Sequence, residues 1–439
     1  MLLSRILKRI SSTGQLVLID ATGRRHTFGD TITSPDLHIT LRLTSKRIER
    51  QLLLNPILAR GEAYMDGDIL IEGGDIHSLL LLFTRTMGRK HTFSFFRNLS
   101  AFRRIMSRVQ QFNPIGRAQA NVAHHYDLSG ELYDLFLDAD RQYSCANFEN
   151  EAMSLEDAQR SKKRHLASKL ALAPGMRVLA IGSGWGGLAL YLAQVGDADV
   201  TGVTLSEAQF AVSSERATTA GVADHVAFRW QDYRDVEGPF DRTISVGMFE
   251  HVGIDHYREF FDKIRSLLTD DGVAVIHAIG RSNPPTLSNA WTRKYIFPGG
   301  YVLAMSEVFQ AIEKSRLWST DIEVLRLHYA RTLSAWRERF LINRDRIAES
   351  YDERFRRMWD FYLSASELAF RHGDLMVFQI QLTKRVDTLP ITRDYTVDWE
   401  RDQRRHELAA EERRTAVAAR SDEYTSQPSF AGRSASAPS

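Results

Sequence analysis

Apolar and polar positions alternate early in the chain: Leu37, Ile39, Leu41 and Leu43 are separated by single polar residues, the period of a half-buried strand. A helical stretch follows around Arg47–Ala59, then the turn-rich GEAYMDGD from Gly61 to Asp68. Residues 1–92 therefore predict a small α+β accessory domain. From Phe95 the spacing lengthens. Phe95, Leu99, Phe102, Met106 and Val109 step by four and three and trace one helix face, with Arg97, Arg104 and Arg108 on the other flank. Asn113-Pro114 stops that pattern, which predicts a basic amphipathic linker helix within residues 93–120.

From about residue 175 the pattern becomes strand, turn, helix, repeated. Arg177–Ile181, Val200–Thr204, Val226–Trp230, Thr243–Val246 and Val273–Ile279 read as strands, with helices at Leu188–Val195, from Ser206 and near His256–Leu268. This alternation predicts an α/β domain over residues 121–395, a mostly parallel sheet with helices on both faces. Residues 281–316 read as an aromatic-rich insertion. Ile322–Leu327 and Met376–Leu382 are expected to complete the sheet, separated by two helical stretches. From about Glu400 the chain is charged, then Ser/Ala/Pro-rich, and 396–439 is expected to be a disordered tail.

Composition narrows the class. Of 439 residues, 43% are hydrophobic and 26% charged, the usual globular mix. No apolar run approaches the roughly 20 residues of a membrane span. The N-terminal MLLSRILKRI lacks the apolar core of a secretory signal, and one cysteine cannot form an internal disulfide. A soluble cytoplasmic protein is expected. The net charge of +2 hides an asymmetry: no acidic residue stands between Asp75 and Asp127, a stretch holding several arginines. An anionic partner follows, nucleic acid or a phospholipid surface, and the phenylalanine-rich helix face suits lipid better.

The chemistry-bearing candidates cluster at strand ends, where ligands bind in such sheets. GSGWGG follows an apolar strand and opens a helix; Gly182 and Gly184 permit a sharp turn and close backbone approach. The second strand ends in Thr204-Leu205-Ser206, with Gln209 one turn on, groups that could bind ribose hydroxyls or cap the helix. Glu250 and His251 follow the fourth strand; His277 and Ile279 share one face of the fifth. A strand histidine is commonly a core residue, but a carboxylate at the neighbouring strand end makes a polar site of the pair. Cys145 in YSCANF is the only thiol, and alone reads as packing.

Taken together, HHYDLSGELYDLFLD (124–138), YSCANF (143–148), VLAIGSGWGGLA (178–189), GVTLSEAQ (202–209), GMFEHVG (247–253), HAIG (277–280), KYIFPGG (294–300) and FRHGDLMVFQIQL (370–382) closely resemble the cyclopropane-fatty-acyl-phospholipid synthase family, which includes the mycolic acid cyclopropane synthases. GEAYMDGD is similar to the accessory domain of its longer members. The resemblance implies a Rossmann-like class I S-adenosylmethionine-dependent methyltransferase. It implies cofactor binding by Tyr143, Ser144, Gly182, Ser183, Gly184, Thr204, Leu205, Ser206 and Gln209, with Trp230 and Gln231 around the adenine. It also implies a bicarbonate-binding reaction centre of Cys145, Glu250, His277, the Ile279 backbone and Tyr329. The implied substrate is the cis double bond of an unsaturated phospholipid acyl chain, reached from the inner face of the membrane through Phe93–Gln111. A homodimer is left open, and nucleic acid is not expected.

Two positions depart from the family pattern. Ala180 stands where the first strand normally ends in aspartate, and Ser183 replaces a usual cysteine. Ala180 prompts a rival reading, a non-catalytic lipid-binding relative; within the enzyme class the rival product is a methyl-branched or methylene chain, formed when the cation loses a different proton. Retention of Cys145, Glu250, His277 and Tyr329 speaks against the non-catalytic reading.

Overall fold

The computed structural model describes residues 14–29, 37–85, 130–286 and 288–425. The expected linker helix, Phe93–Gln111 included, lies outside the described residues, as do 426–439.

The N-terminal pattern is realised as a four-stranded sheet, β2-β1-β3-β4, from β1 (Gln15–Ile19), β2 (Arg25–Phe28), β3 (His38–Leu43) and β4 (Ile69–Glu72). The alternation read in β3 buries Ile39, Leu41 and Leu43. The single helix expected around Arg47–Ala59 is two, α1 (Lys46–Leu54) and α2 (Pro56–Met65), because Pro56 has no N–H to continue the first and starts the second instead. GEAYMDGD is accordingly helical through Met65.

The larger sheet has the order β11-β12-β9-β8-β5-β6-β7. Its parallel part is β5 (Arg177–Ile181), β6 (Asp199–Thr204), β7 (Val226–Trp230), β8 (Phe240–Val246) and β9 (Leu268–Arg281). A short β10 (Leu303–Ala304) also pairs with β9 in parallel, while β11 (Trp318–Val324) and β12 (Leu375–Thr383) add antiparallel strands. Near-continuous apolar strands such as RVLAI are what a sheet covered on both faces requires. Helices α3 (Gly130–Phe136), α4 (Leu155–Leu170), α5 (Gly187–Gly196), α6 (Glu207–Thr219), α7 (Tyr257–Leu267), α8 (Ala290–Tyr295), α9 (Met305–Ser315), α10 (His328–Ile342), α11 (Arg344–Ala348) and α12 (Glu353–His372) complete the layers.

The N-terminal sheet shares a core with the helices of the larger domain: Leu16, Ile39 and Met65 pack in a cluster continuous with Trp291 of α8, Tyr329 of α10 and Trp359 of α12. GEAYMDGD makes that junction. A side chain at Gly61 would stand 2.3 Å from the Trp291 indole, so only glycine lets α2 seat on α8. The Glu62 carboxylate accepts from Lys294 at 2.6 Å and from the Tyr295 hydroxyl at 2.7 Å, and Asp66 pairs with Arg354. Trp291, from the aromatic-rich insertion, is buried in this junction.

The expected disordered tail is corrected up to Thr425: Asp394–Thr425 is one helix, α13. Its own periodicity is polar, but α4 presents a complementary surface. Arg164 of α4 reaches Glu407 and, at 2.6 Å, Glu149; His165 lies 2.5 Å from Glu400 and 2.7 Å from Glu323. The Tyr191 hydroxyl also donates to Glu407 at 2.6 Å. A helix held by ion pairs to buried partners leaves no hydrophobic stripe to read.

Candidate active site

At the end of β5 the chain turns through Gly182 and Gly184 with φ of 73° and 55°, the left-handed region that glycine tolerates. A side chain at Gly182 would also meet Met248 at 2.9 Å. The N–H groups of Gly182 and Ser183 both donate to the Val203 carbonyl, at 2.9 and 3.0 Å, tying the turn to β6. This forms the floor of a cleft whose walls include Tyr143, Ser144, Ala180, Gly182, Ser183, Gly184, Thr204, Leu205, Gln209, Gln231 and His251. Thr204 and Gln209 are joined side chain to side chain at 2.9 Å. Ser206 caps α6, its hydroxyl accepting from the Gln209 N–H, and Trp230 sits exposed on the rim with its indole N–H donating to the Leu205 carbonyl. Neither of those two lines the cleft.

The segment after α3 closes one wall. Asp140 packs against Gly187, where any side chain would collide with its carboxylate at 2.3 Å, and it pairs with Lys163 at 2.6 Å and with Arg216. Behind it, the Gln159 amide donates to the Gln142 and Ser144 carbonyls at 3.2 and 3.0 Å. Lys162 donates to Gln142 Oε1 at 2.5 Å and to Ser144 Oγ at 2.9 Å.

The deeper candidates adjoin lining residues: Cys145 follows Ser144, and Glu250 precedes His251. Glu250 is buried; its Oε1 accepts the Ile279 N–H at 2.6 Å, whereas its Oε2 is buried with no partner among the described residues. Burial pushes this carboxyl up to about 7. On β9, His277 pairs in register with Gln379 of β12, whose amide nitrogen lies 3.2 Å from its Nδ1. An amide nitrogen placed there matches the tautomer that carries the ring proton on Nε2. Burial, reinforced by Lys162, drives His277 down to about 3, so the ring is neutral. His251 is lowered by burial to about 4. Burial likewise raises the Cys145 thiol, whose Sγ donates to the Ala146 carbonyl at 3.4 Å; it is not a thiolate. Tyr329 is buried against Phe370 and Trp336, with ring centroids at 4.7 and 5.8 Å. The Tyr143 hydroxyl lies 2.9 Å from that of Tyr362.

A family model for mycolic acid cyclopropane synthetase matches residues 115–380. The chain belongs to this family. It is 35% identical over 349 residues to the cyclopropane-fatty-acyl-phospholipid synthase of Escherichia coli K12, covering 79% of this chain and 88% of that one. It is 38% identical over 281 residues to a tuberculostearic acid methyltransferase of Mycobacterium tuberculosis, covering 61% and 66%. Its fold matches a mycolic acid cyclopropane synthase solved with S-adenosylhomocysteine, at a TM-score of 0.58 and 30% identity, over 62% of this chain and 99% of that one. As a member of the family, it is an S-adenosylmethionine-dependent methyltransferase of class I fold.

The cleft fits that cofactor. The glycine turn leaves room for close approach, and Ser183 Oγ is a buried polar atom with no partner among the described residues. Sequence reading missed Gln142, Gln159, Lys162, Tyr362 and Gln379. Nothing in the α4 sequence marked Gln159 and Lys162 beforehand: the helix is polar, and its residues are buried on most faces only because the fold covers it.

Proposed function

We propose that this methyltransferase adds a one-carbon unit from S-adenosylmethionine to the cis double bond of unsaturated acyl chains in membrane phospholipids and closes a cyclopropane ring. The observation that carries the reading is Glu250: a carboxylate buried beside the cleft, with one oxygen on the Ile279 N–H and the other without a partner. Such an oxygen fits a donor, and the O–H of bicarbonate is one.

The cofactor supplies an electrophilic methyl group when bound. Tyr143, Ser144, the 182–184 turn, Thr204, Leu205, Gln209 and Gln231, which all line the cleft, would hold it. Attack by the alkene leaves positive charge on the acyl chain, and the ring closes when the new methyl group loses a proton. Bicarbonate, when bound, supplies the base for that proton. Glu250 Oε2 would accept its O–H, and the neutral His277 would donate from Nε2. The rings of Tyr143 and Tyr329 can face the cation, each worth of order 1–2 kcal/mol when desolvated. A raised thiol excludes Cys145 as a nucleophile and leaves it a packing and donor role. The surrounding aromatic residues keep out water, which would trap the cation as an alcohol.

The likeness to a tuberculostearic acid methyltransferase supports a second product, an unsaturated chain that carries the added carbon as a methyl branch or a methylene group after the cation loses a proton without closing a ring. A non-catalytic relative is disfavoured by the buried Glu250–His277–Cys145 set. The chain works at the cytoplasmic face of the membrane, docking through Phe93–Gln111. Expression in a host without its own synthase, followed by lipid mass spectrometry, tests the reading. Monounsaturated phospholipid chains should gain one CH2 and resist hydrogenation. A gain that takes up hydrogen supports the methylene product, and unchanged lipids overturn the activity.

A further inference from the structure

Lys162 is buried to 1% exposure, yet among the described residues it makes no ion pair. The cations around it do: Lys163 with Asp140, Arg141 with Asp134, Arg234 with Asp232 and Arg216 with Asp140. Its ammonium instead donates to two neutral oxygens, Gln142 Oε1 and Ser144 Oγ, both on cleft-lining residues. The buried Asp138 and the half-buried Asp140 act on its charge from a distance, but neither carboxylate reaches the ammonium in an ion pair, so its direct contacts are neutral and leave room for a further anion nearby. Because Ser144 Oγ accepts from Lys162, its own proton is left to donate toward another acceptor. Gln159 holds the backbone of the same loop through two carbonyls, so the Lys162 contacts are not needed merely to anchor it.

We propose that Lys162 is a positioning residue which, acting through the Ser144 hydroxyl, prepares the cleft wall for a carboxylate-type oxyanion. Two sources supply that chemistry: the methionyl carboxylate of S-adenosylmethionine and bicarbonate. Ser144 and Gln231 both line this one cleft, so a cofactor whose adenine lies by Gln231 shares the cleft with the Ser144 hydroxyl. Burial lowers Lys162 only to about 8, which leaves the ammonium charged at neutral pH. The cofactor arm rests on the family's chemistry, and the bicarbonate arm rests on the function proposed above.

The test uses the full chain with Lys162→Met and Lys162→Gln. Calorimetry compares S-adenosylhomocysteine with its decarboxylated analogue, and turnover is titrated with bicarbonate in carbonate-depleted buffer. If the oxyanion is the cofactor's, both variants lose roughly ten- to a hundredfold in affinity for S-adenosylhomocysteine and change little toward the analogue. If it is bicarbonate, both ligands bind as before and half-activation by bicarbonate moves up by a similar factor. Wild-type turnover indifferent to bicarbonate would remove the bicarbonate reading while leaving the calorimetric arm intact. Because the substitutions delete a desolvated charge, the melting temperature should hold or rise. Equal loss toward both ligands, no change in any arm, or failure of both variants to fold would make Lys162 a structural residue and overturn the proposal.

Discussion

Glu250 and Ile279 are joined across two strand ends by a 2.6 Å hydrogen bond from backbone N–H to carboxylate. That bond occupies one carboxylate oxygen and leaves the other, Oε2, buried with no partner among the described residues. Gln at position 250 keeps the carbonyl acceptor for Ile279 but turns the other atom into a donor. Glu250→Gln should therefore lose at least a hundredfold in kcat while S-adenosylhomocysteine affinity stays within about threefold. His277→Ala should behave alike. Full turnover in either variant, measured on vesicles, would take that residue out of the mechanism.

The same carboxyl makes stability depend on pH. Its folded value of about 7 lies above the ordinary 4.5, so the folded state holds the proton more tightly than the unfolded one. Its contribution is fully present below about 4.5 and is lost as pH rises through about 7. Glu250→Gln removes that loss. The variant should be more stable than the wild type above pH 7, by about 3 kcal/mol at about 1.4 per unit, and equal to it near pH 4.5. Denaturant melts at the two pH values check this; a constant difference would contradict it.

Ala180 lines the cleft at the end of β5, next to the glycine turn. A carboxylate here would add a charge-assisted acceptor to the cofactor site. Ala180→Asp should tighten S-adenosylmethionine binding roughly ten- to a hundredfold. Equal or weaker binding by calorimetry would mean that the site is built around alanine.

Helix α13 is tied down at Glu407, which receives the buried Arg164 and the Tyr191 hydroxyl. Glu407→Ala strands both donors. The expected loss is about 2–4 kcal/mol in urea melts, with Arg164 keeping Glu149 as its remaining partner. A loss below about 0.5 kcal/mol would mean that α13 does not contribute to the fold.

The proposed docking to an anionic membrane surface would draw on Arg97, Arg104 and Arg108. Each arginine near an anionic surface contributes about 1 kcal/mol, within a Debye length of roughly 8 Å at physiological salt. Replacing all three with glutamine should weaken flotation with anionic vesicles and lower turnover on them, with cofactor affinity unchanged. Wild-type flotation of the triple variant would assign the segment to packing.

Much of this protein was legible from local pattern. β5 to β9, the glycine turn and the motifs around Glu250 and His277 are short-range signals: apolar runs, φ-permissive glycines and strand ends. Pairing is long-range, and there the tertiary structure decided. Only the register of β9 with β12 sets Gln379 beside His277. Gly61 looked like a turn residue, yet it is the gap that admits Trp291 from more than two hundred residues away. The charged segment after Glu400 carries no apolar stripe, because its partners are buried charges on α4 and not a hydrophobic groove. Lys162 was silent for the same reason. A lysine in a helix reads as solvated until the fold removes the solvent, and only then does its charge demand a partner.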